Sequence, residues 1–211
     1  MNVTEALRRR RMTRSFDGRE LDPSTVTSIF DDALRAPTAG NSRGVHWTIL
    51  IGNDEVYRYF EATTDASWRE RSARAAGLMR ASAVGICTVD PQAYVERYSA
   101  PDKANSGLGQ GSGAWPVPFW IGDAGASMMA ALLRCEESGL AATFLGSFRG
   151  EDALRTALGL PNGHLIFGAI LLGHPDGHDH RSASLDRPGL TRAERLHFGG
   201  FSQEPNSKSV E

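Results

Sequence analysis

Two short segments hold the side chains best suited to chemistry on an anionic ligand. RRRRMTRSF at positions 8–16 gathers five arginines. Guanidinium groups bind a phosphate monoester through paired, planar hydrogen bonds and stay charged at any physiological pH. Arg10, Arg11 and Arg14 are the donors of interest. Each charge-assisted bond is worth on the order of 1.5–3 kcal/mol, so two or three supply much of the affinity for a mononucleotide. A solvated basic helix end, favoured by the helix dipole, accounts for the same arginines without any ligand. The second segment, APTAGNSRG at 36–44, is a polar turn. Gly40 and Asn41 accept left-handed backbone geometry, so this turn can present amides to a planar ligand.

Composition bounds what such a site could serve. A chain of 211 residues, 40% hydrophobic, can bury a core, and a single domain over 1–211 is expected, with a polar tail from about His174. The formal net charge of -2 makes the arginine cluster local and argues against a general nucleic-acid binder. Cys87 and Cys135 are isolated in apolar surroundings, which suits buried thiols in a reducing cytoplasm. No apolar run approaches a membrane span. His174, His178, Asp179 and His180 read as a surface turn and no metal is expected. GLGQGSG at 107–113 lacks the strand, helix and acidic residue that a dinucleotide loop requires. Trp115, Phe119 and Trp120 could wall a pocket or pack a helix start, and the residues leave both open.

The elements that must position these segments alternate. Asp22, Pro23 and Ser24 open a helix carrying Val26, Ile29, Phe30, Ala33 and Leu34 at helical spacing. A shorter helix runs from Thr4 to about Arg10, into the basic segment. Strands are expected over Val45–Ile51, Ala83–Val89 and Leu165–Leu172, with a strand or extended turn over Ala141–Phe148. Helices are expected after Asn53, over Ser67–Met79, after Asp90, over Pro118–Glu137 and over Glu151–Leu158. The glycine- and serine-rich stretch 99–116 reads as a mobile loop. Four strands separated by helices predict an α/β sandwich with helices on both faces of a mixed sheet, its strand order unassigned.

The order of pieces, basic segment, proline-capped helix, alanine-proline turn with asparagine, then strand, resembles the nitroreductase family of FMN-dependent homodimers. RRRRMTRSF is similar to the RRSxRxF segment that grips the flavin phosphate in that family, and APTAGNSRG to the APSxxNxQPW segment that lies along the flavin ring. GLAATFLGSF at 139–148 resembles the GLGxxxxG stretch whose backbone amide faces the flavin N5. The resemblance runs from about Leu7 to Phe201. It implies an α+β sandwich, a homodimer with FMN at the subunit interface and a C-terminal extension wrapping the partner. It also implies NADH or NADPH as reductant and a quinone, nitroaromatic or similar small molecule as acceptor.

Carried over by position, Arg10, Arg11 and Arg14, with Met12 in the same stretch, hold the phosphate. Pro37, Thr38, Ala39 and Asn41 line the ring from the neighbouring subunit. Leu145 and Gly146 meet its N5 side, and Arg187 adds a phosphate contact for which Arg181 and Arg192 compete. The chemistry is centred on the flavin, with no catalytic side chain. Departures are also plain: Met12 stands where relatives have serine, and Arg43 with Gly44 replaces glutamine-proline. Arg74 and Gly77 fall near the asparagine and lysine that contact the pyrimidine in relatives, so those contacts are unassigned. Some branches of the family dehalogenate aromatics, desaturate peptides or break down the flavin. A flavin carrier without turnover and a basic interaction module without cofactor are the rivals from other classes.

Overall fold

The computed structural model describes residues 1–147, 149–179 and 182–201. Phe148, His180 and Arg181 therefore lie outside the described residues, and with them the last residue of GLAATFLGSF and one of the competing tail arginines. The chain divides into a unit over Met1–Asp179 and a second over His180–Glu211. The first unit retains the start of the expected tail. Asp17 N–H donates to the His174 carbonyl at 3.0 Å, Phe16 bridges Pro175, and Ser15 Oγ donates to Asp176 at 2.6 Å.

The helices begin where the sequence supplies acceptors for their free N–H groups. Helix α1, Val3–Arg9, is capped by Asn2. Helix α2, Pro23–Ala33, is capped by Asp22, which accepts from Ser24 N–H at 3.0 Å, and it buries Val26, Ile29, Phe30 and Ala33. Leu34, expected inside, ends α2 and is exposed. Strand β1, Val45–Ile51, and helix α3, Asn53–Thr63, follow. The single helix expected over 67–79 is two, α4 Ala66–Arg71 and α5 Ala73–Leu78. Ser72 adopts extended geometry between them, and its hydroxyl accepts from Ala75 N–H to restart the helix.

Strand β2, Ala83–Val89, and helix α6, Pro91–Ser99, lead into the glycine-rich stretch. That stretch is a series of short 3-10 turns, not a featureless loop. Trp115 Nε1 donates to the Leu108 carbonyl at 3.0 Å, and Ser99 Oγ to that of Gly109 at 3.1 Å. Trp115 and Trp120 are buried edge-to-face against each other and against Tyr94, so they pack the start of the next helix; Phe119 stays exposed. Helix α7, Phe119–Glu137, is the longest among the described residues; strand β3 Ala141–Leu145, helix α8 Glu151–Leu158 and strand β4 Leu165–Gly173 complete the unit.

The strands run in the order β1-β2-β4-β3, each neighbouring pair antiparallel. The extended basic segment adds a parallel bridge, Met12 to Ala142, beside β3. Side chains alternate between two cores, as a period of two requires. Ala83, Cys87, Val89, Ile170 and Leu172 join α2 and α7 on one face. Val84, Ile86, Ala169 and Leu171 join α3, α8 and Phe16 on the other. This is the expected α+β sheet covered on both faces. Ser127 ties the first face together: its hydroxyl accepts from Trp47 Nε1 at 3.0 Å and donates to the Ala33 carbonyl at 2.8 Å. Among the described residues, no helix is long and apolar enough to cross a membrane. In the second unit, a short 3-10 turn over Ala183–Asp186 precedes Arg187.

Candidate functional site

The basic segment leaves α1 at Arg10 with an extended backbone and runs beside β3, where Thr13 N–H donates to the Ala142 carbonyl at 3.0 Å. Its arginines, equal in the sequence, are unequal in space. Arg9 pairs with Glu5 and Glu136 on the surface. Arg11 is exposed, and Arg14 turns back to donate to the Met12 carbonyl at 3.0 Å. Arg10 stands apart: its Nε and Nη1 are buried with no hydrogen-bond partner among the described residues. An arginine cannot shed its proton, so desolvated N–H groups without an acceptor leave an uncompensated positive charge. An anion at this guanidinium would compensate it.

Met12 lies where a serine could have met a phosphate. Its side chain instead packs on the core, and its sulfur accepts from Phe144 N–H at 3.4 Å. The methionine therefore locks the basic segment onto β3. On the other side the segment meets α5, where Phe16 N–H donates to the Gly77 carbonyl at 3.3 Å. A Cβ at Gly77 would fall 2.7 Å from the Arg14 carbonyl oxygen, so only glycine admits this approach.

β3 and α5 also wall a cavity of about 650 Å³. The end of β3 supplies Phe144, Leu145, Gly146 and Ser147; α5 supplies Arg74 and Leu78; α3 and α4 supply Tyr59, Phe60 and Trp68. Phe60 and Trp68 stack with ring centroids 6.1 Å apart. Burial pushes the Tyr59 hydroxyl up to about 12, so it stays protonated at neutral pH. Thr63, Thr64, Asp65 and Ser147 add polar groups to the lining, and Arg74 and Arg149 bring guanidinium groups to the wall. The volume and the aromatic walls suit a planar aromatic body; Arg10, Arg11, Met12 and Arg14, in the segment that runs along the same strand, do not line the cavity, and their charge suits an anionic end outside it. These residues thus fit a phosphorylated aromatic cofactor.

Leu145 and Gly146, identified from the sequence, lie in this cavity. Tyr59, Phe60 and Trp68 carry no sequence signal of a site, because aromatic residues at helical spacing read equally as core; Arg149 lies in no recognisable motif. Arg74 has a sequence signal, its proximity to the pyrimidine-binding positions of the resembled family, whereas Gly77 acts through the backbone. The Pro37–Asn41 turn does not line the cavity. Ala39 packs with the core on one face of the sheet, while Tyr59, Phe60, Leu78 and Leu145 belong to the other. One chain does not bring the turn and the cavity together. Arg187 falls in the second unit.

Comparison with known proteins adds an independent line. The model of the nitroreductase family matches residues 7–174. A protein of Archaeoglobus fulgidus with the provisional name NADH dehydrogenase/NAD(P)H nitroreductase is 25% identical over 169 residues, covering 79% of this chain and 81% of its own. Among solved structures, NfrA2 of B. megaterium superposes with a TM-score of 0.71 at 19% identity, over 98% of this chain and 78% of that one. An FMN-dependent nitroreductase of Clostridium difficile superposes with a TM-score of 0.64 at 16% identity, over 94% and 100%. At these identities the structural likenesses establish the fold.

Proposed function

The chain belongs to the nitroreductase family, and from that premise we propose that it is a homodimeric FMN-dependent oxidoreductase. NADH or NADPH would reduce it and a nitroaromatic, quinone or similar small acceptor would reoxidise it. The observation that carries the reading is Arg10, whose Nε and Nη1 are buried without a partner among the described residues, in a segment that runs along β3; the arginines of that segment do not themselves line the aromatic cavity at the end of β3. A permanent charge short of an acceptor is costly unless a ligand anion completes it.

Each group then has a task. Arg10 anchors the phosphate, with Arg11 and Arg14 as further donors. Met12 keeps that segment in register with β3. Leu145 and the backbone N–H of Gly146 meet the ring, while Tyr59, Phe60 and Trp68 keep water from it. Arg74 would bring positive charge to the cavity wall, where it would favour an anionic form of the group held there. Pro37, Thr38, Ala39 and Asn41 reach the ring from the second chain, which accounts for their separation from the cavity in one chain. FMN held there would supply two-electron redox chemistry between the nicotinamide and the acceptor. The protein fixes orientation and access, and no side chain is required as acid or base. Buried thiols suit a reducing cytoplasm. The fold does not choose among acceptors.

The test is the visible spectrum of the purified protein without oxygen. A yellow protein bleached by NADH or NADPH, with colour restored by a quinone or nitroaromatic, is expected. A yellow protein that neither nicotinamide bleaches would be a carrier without turnover. A colourless protein whose partner binding collapses with salt would be a basic interaction module.

A further inference from the structure

We propose that Asp123, with Tyr94 and Arg97, is a positioning residue for the cofactor of the neighbouring chain, because it fixes the Thr38–Arg43 turn that the composite site borrows. The inference rests on the reading above that this turn lines the bound ring.

The turn is costly to form. Gly40, Asn41 and Arg43 sit at φ of 61°, 57° and 55°. Glycine and asparagine accept that geometry, but arginine does not adopt it freely. Arg43 in such a conformation persists only where the surroundings over-determine it. Internal bonds do part of this: Asn41 N–H donates to the Thr38 carbonyl at 2.8 Å and Arg43 N–H to Thr38 Oγ1 at 3.0 Å.

The rest comes from two helices beneath. Asp123, in the first turns of α7, uses one carboxylate oxygen to accept from Ala39 N–H at 2.8 Å and from the Tyr94 hydroxyl at 2.8 Å. Arg97, on α6, donates from Nε to the Gly40 carbonyl at 2.9 Å, while Asp102 grips its two terminal nitrogens at 2.8 and 2.6 Å. The N–H of one residue and the carbonyl of the next are thus each tied to a charged side chain, and charge-assisted bonds are roughly twice as strong as neutral ones. Tyr94 is fully buried, and burial together with Asp123 raises the pKa of its hydroxyl, so its donated proton stays in place. Gly44 completes the clamp, since a Cβ there would meet the Tyr94 ring at 2.6 Å.

The clamp grips only the inner side of the turn. Pro37, Asn41 and Arg43 remain exposed, on the side free to meet another chain's ligand. A small displacement of a segment in contact with a flat ring is felt in binding and in the ring's spectrum, even where the fold is intact. That separates positioning from mere stability.

The experiment compares Asp123→Ala, Asp123→Asn and Tyr94→Phe with wild type. Three readouts are needed: the FMN dissociation constant from quenching of flavin fluorescence, the shape of the bound flavin's absorption band, and the Tm and mass of the flavin-free protein. Asp123→Ala is expected to weaken FMN binding about 10- to 100-fold, the equivalent of one charge-assisted bond, and to alter the band. Asp123→Asn, which keeps an oxygen for Ala39, is expected to recover part of that loss. Should Asp123→Ala fail to fold, Tyr94→Phe and Arg97→Ala carry the test, each with a weakened FMN affinity at unchanged mass. Folded variants with wild-type affinity and band shape would overturn the inference while leaving the functional reading in place. A wild-type protein that takes up no FMN would overturn both.

Discussion

Replacing Arg10 by methionine should stabilise the flavin-free chain and, in the same protein, destroy its hold on FMN. The opposite signs follow from one feature, a guanidinium with Nε and Nη1 buried and unpartnered. Each buried N–H without an acceptor costs about 1–3 kcal/mol. Methionine keeps most of the aliphatic stem and removes the charge. The residue is only partly buried, so water reaches some of the guanidinium and the expected net gain is about 1–2 kcal/mol. In a domain of this size that raises Tm by about 2–8 °C. The loaded state loses two charge-assisted bonds, about 3–6 kcal/mol, or roughly 150- to 20,000-fold in affinity. Thermal melts without FMN and a fluorescence titration with it measure the two halves. Arg10→Lys, a point charge in place of a fork, should fall between. An Arg10→Met protein that melts lower than wild type yet binds FMN normally would make the arginine a structural cation and not a phosphate ligand.

Met12→Ala should cost about 1–3 kcal/mol in a urea melt, since it removes packing against the core and the sulfur acceptor of Phe144 N–H; an unchanged midpoint would show that the bridge to β3 does not need this side chain. The His46 and His164 rings lie tilted with centroids 4.8 Å apart, and partial burial and the neighbouring ring hold the His46 pKa below the usual 6.5. The folded state therefore binds fewer protons than the unfolded, so this residue's share of stability is present above pH 6.5 and is lost as pH falls from there through the depressed folded value. His46→Gln should flatten that slope in melts between pH 7 and 5, and an unaltered slope would assign it elsewhere. Burial pushes the thiols of Cys87 and Cys135 up to about 12. A thiol reagent at pH 8 should label neither in the folded protein and both in urea; rapid native labelling would contradict the buried placement.

Much of the fold is legible because its signals are local. Asp22 followed by Pro23, and Asp90 followed by Pro91, announce helix starts, and the structure caps both helices with those aspartates. The alternating cores of β2 and β4 follow from runs of apolar residues. What was hidden depends on distant partners. Strand β4 inserts between β2 and β3, and pairing across that sequence separation leaves no local trace. The stretch 99–116 has the composition of a loop, but its turns are pinned by Trp115 and Ser99, contacts that composition does not encode. The same holds for the candidate site. The sequence picks out the arginines, but only burial distinguishes Arg10 from Arg9 and Arg11. It marks Gly146, yet the cavity's other walls come from α3, α4 and α5, where Tyr59, Phe60 and Trp68 look like ordinary core.

The most direct test of the account is a crystal structure grown in the presence of FMN. The account predicts one flavin per chain, with its phosphate on Arg10, its ring beside Gly146 in the aromatic cavity and the Pro37–Asn41 turn of a second chain against it. Flavin elsewhere on the surface, or an empty cavity at saturating FMN, would contradict it.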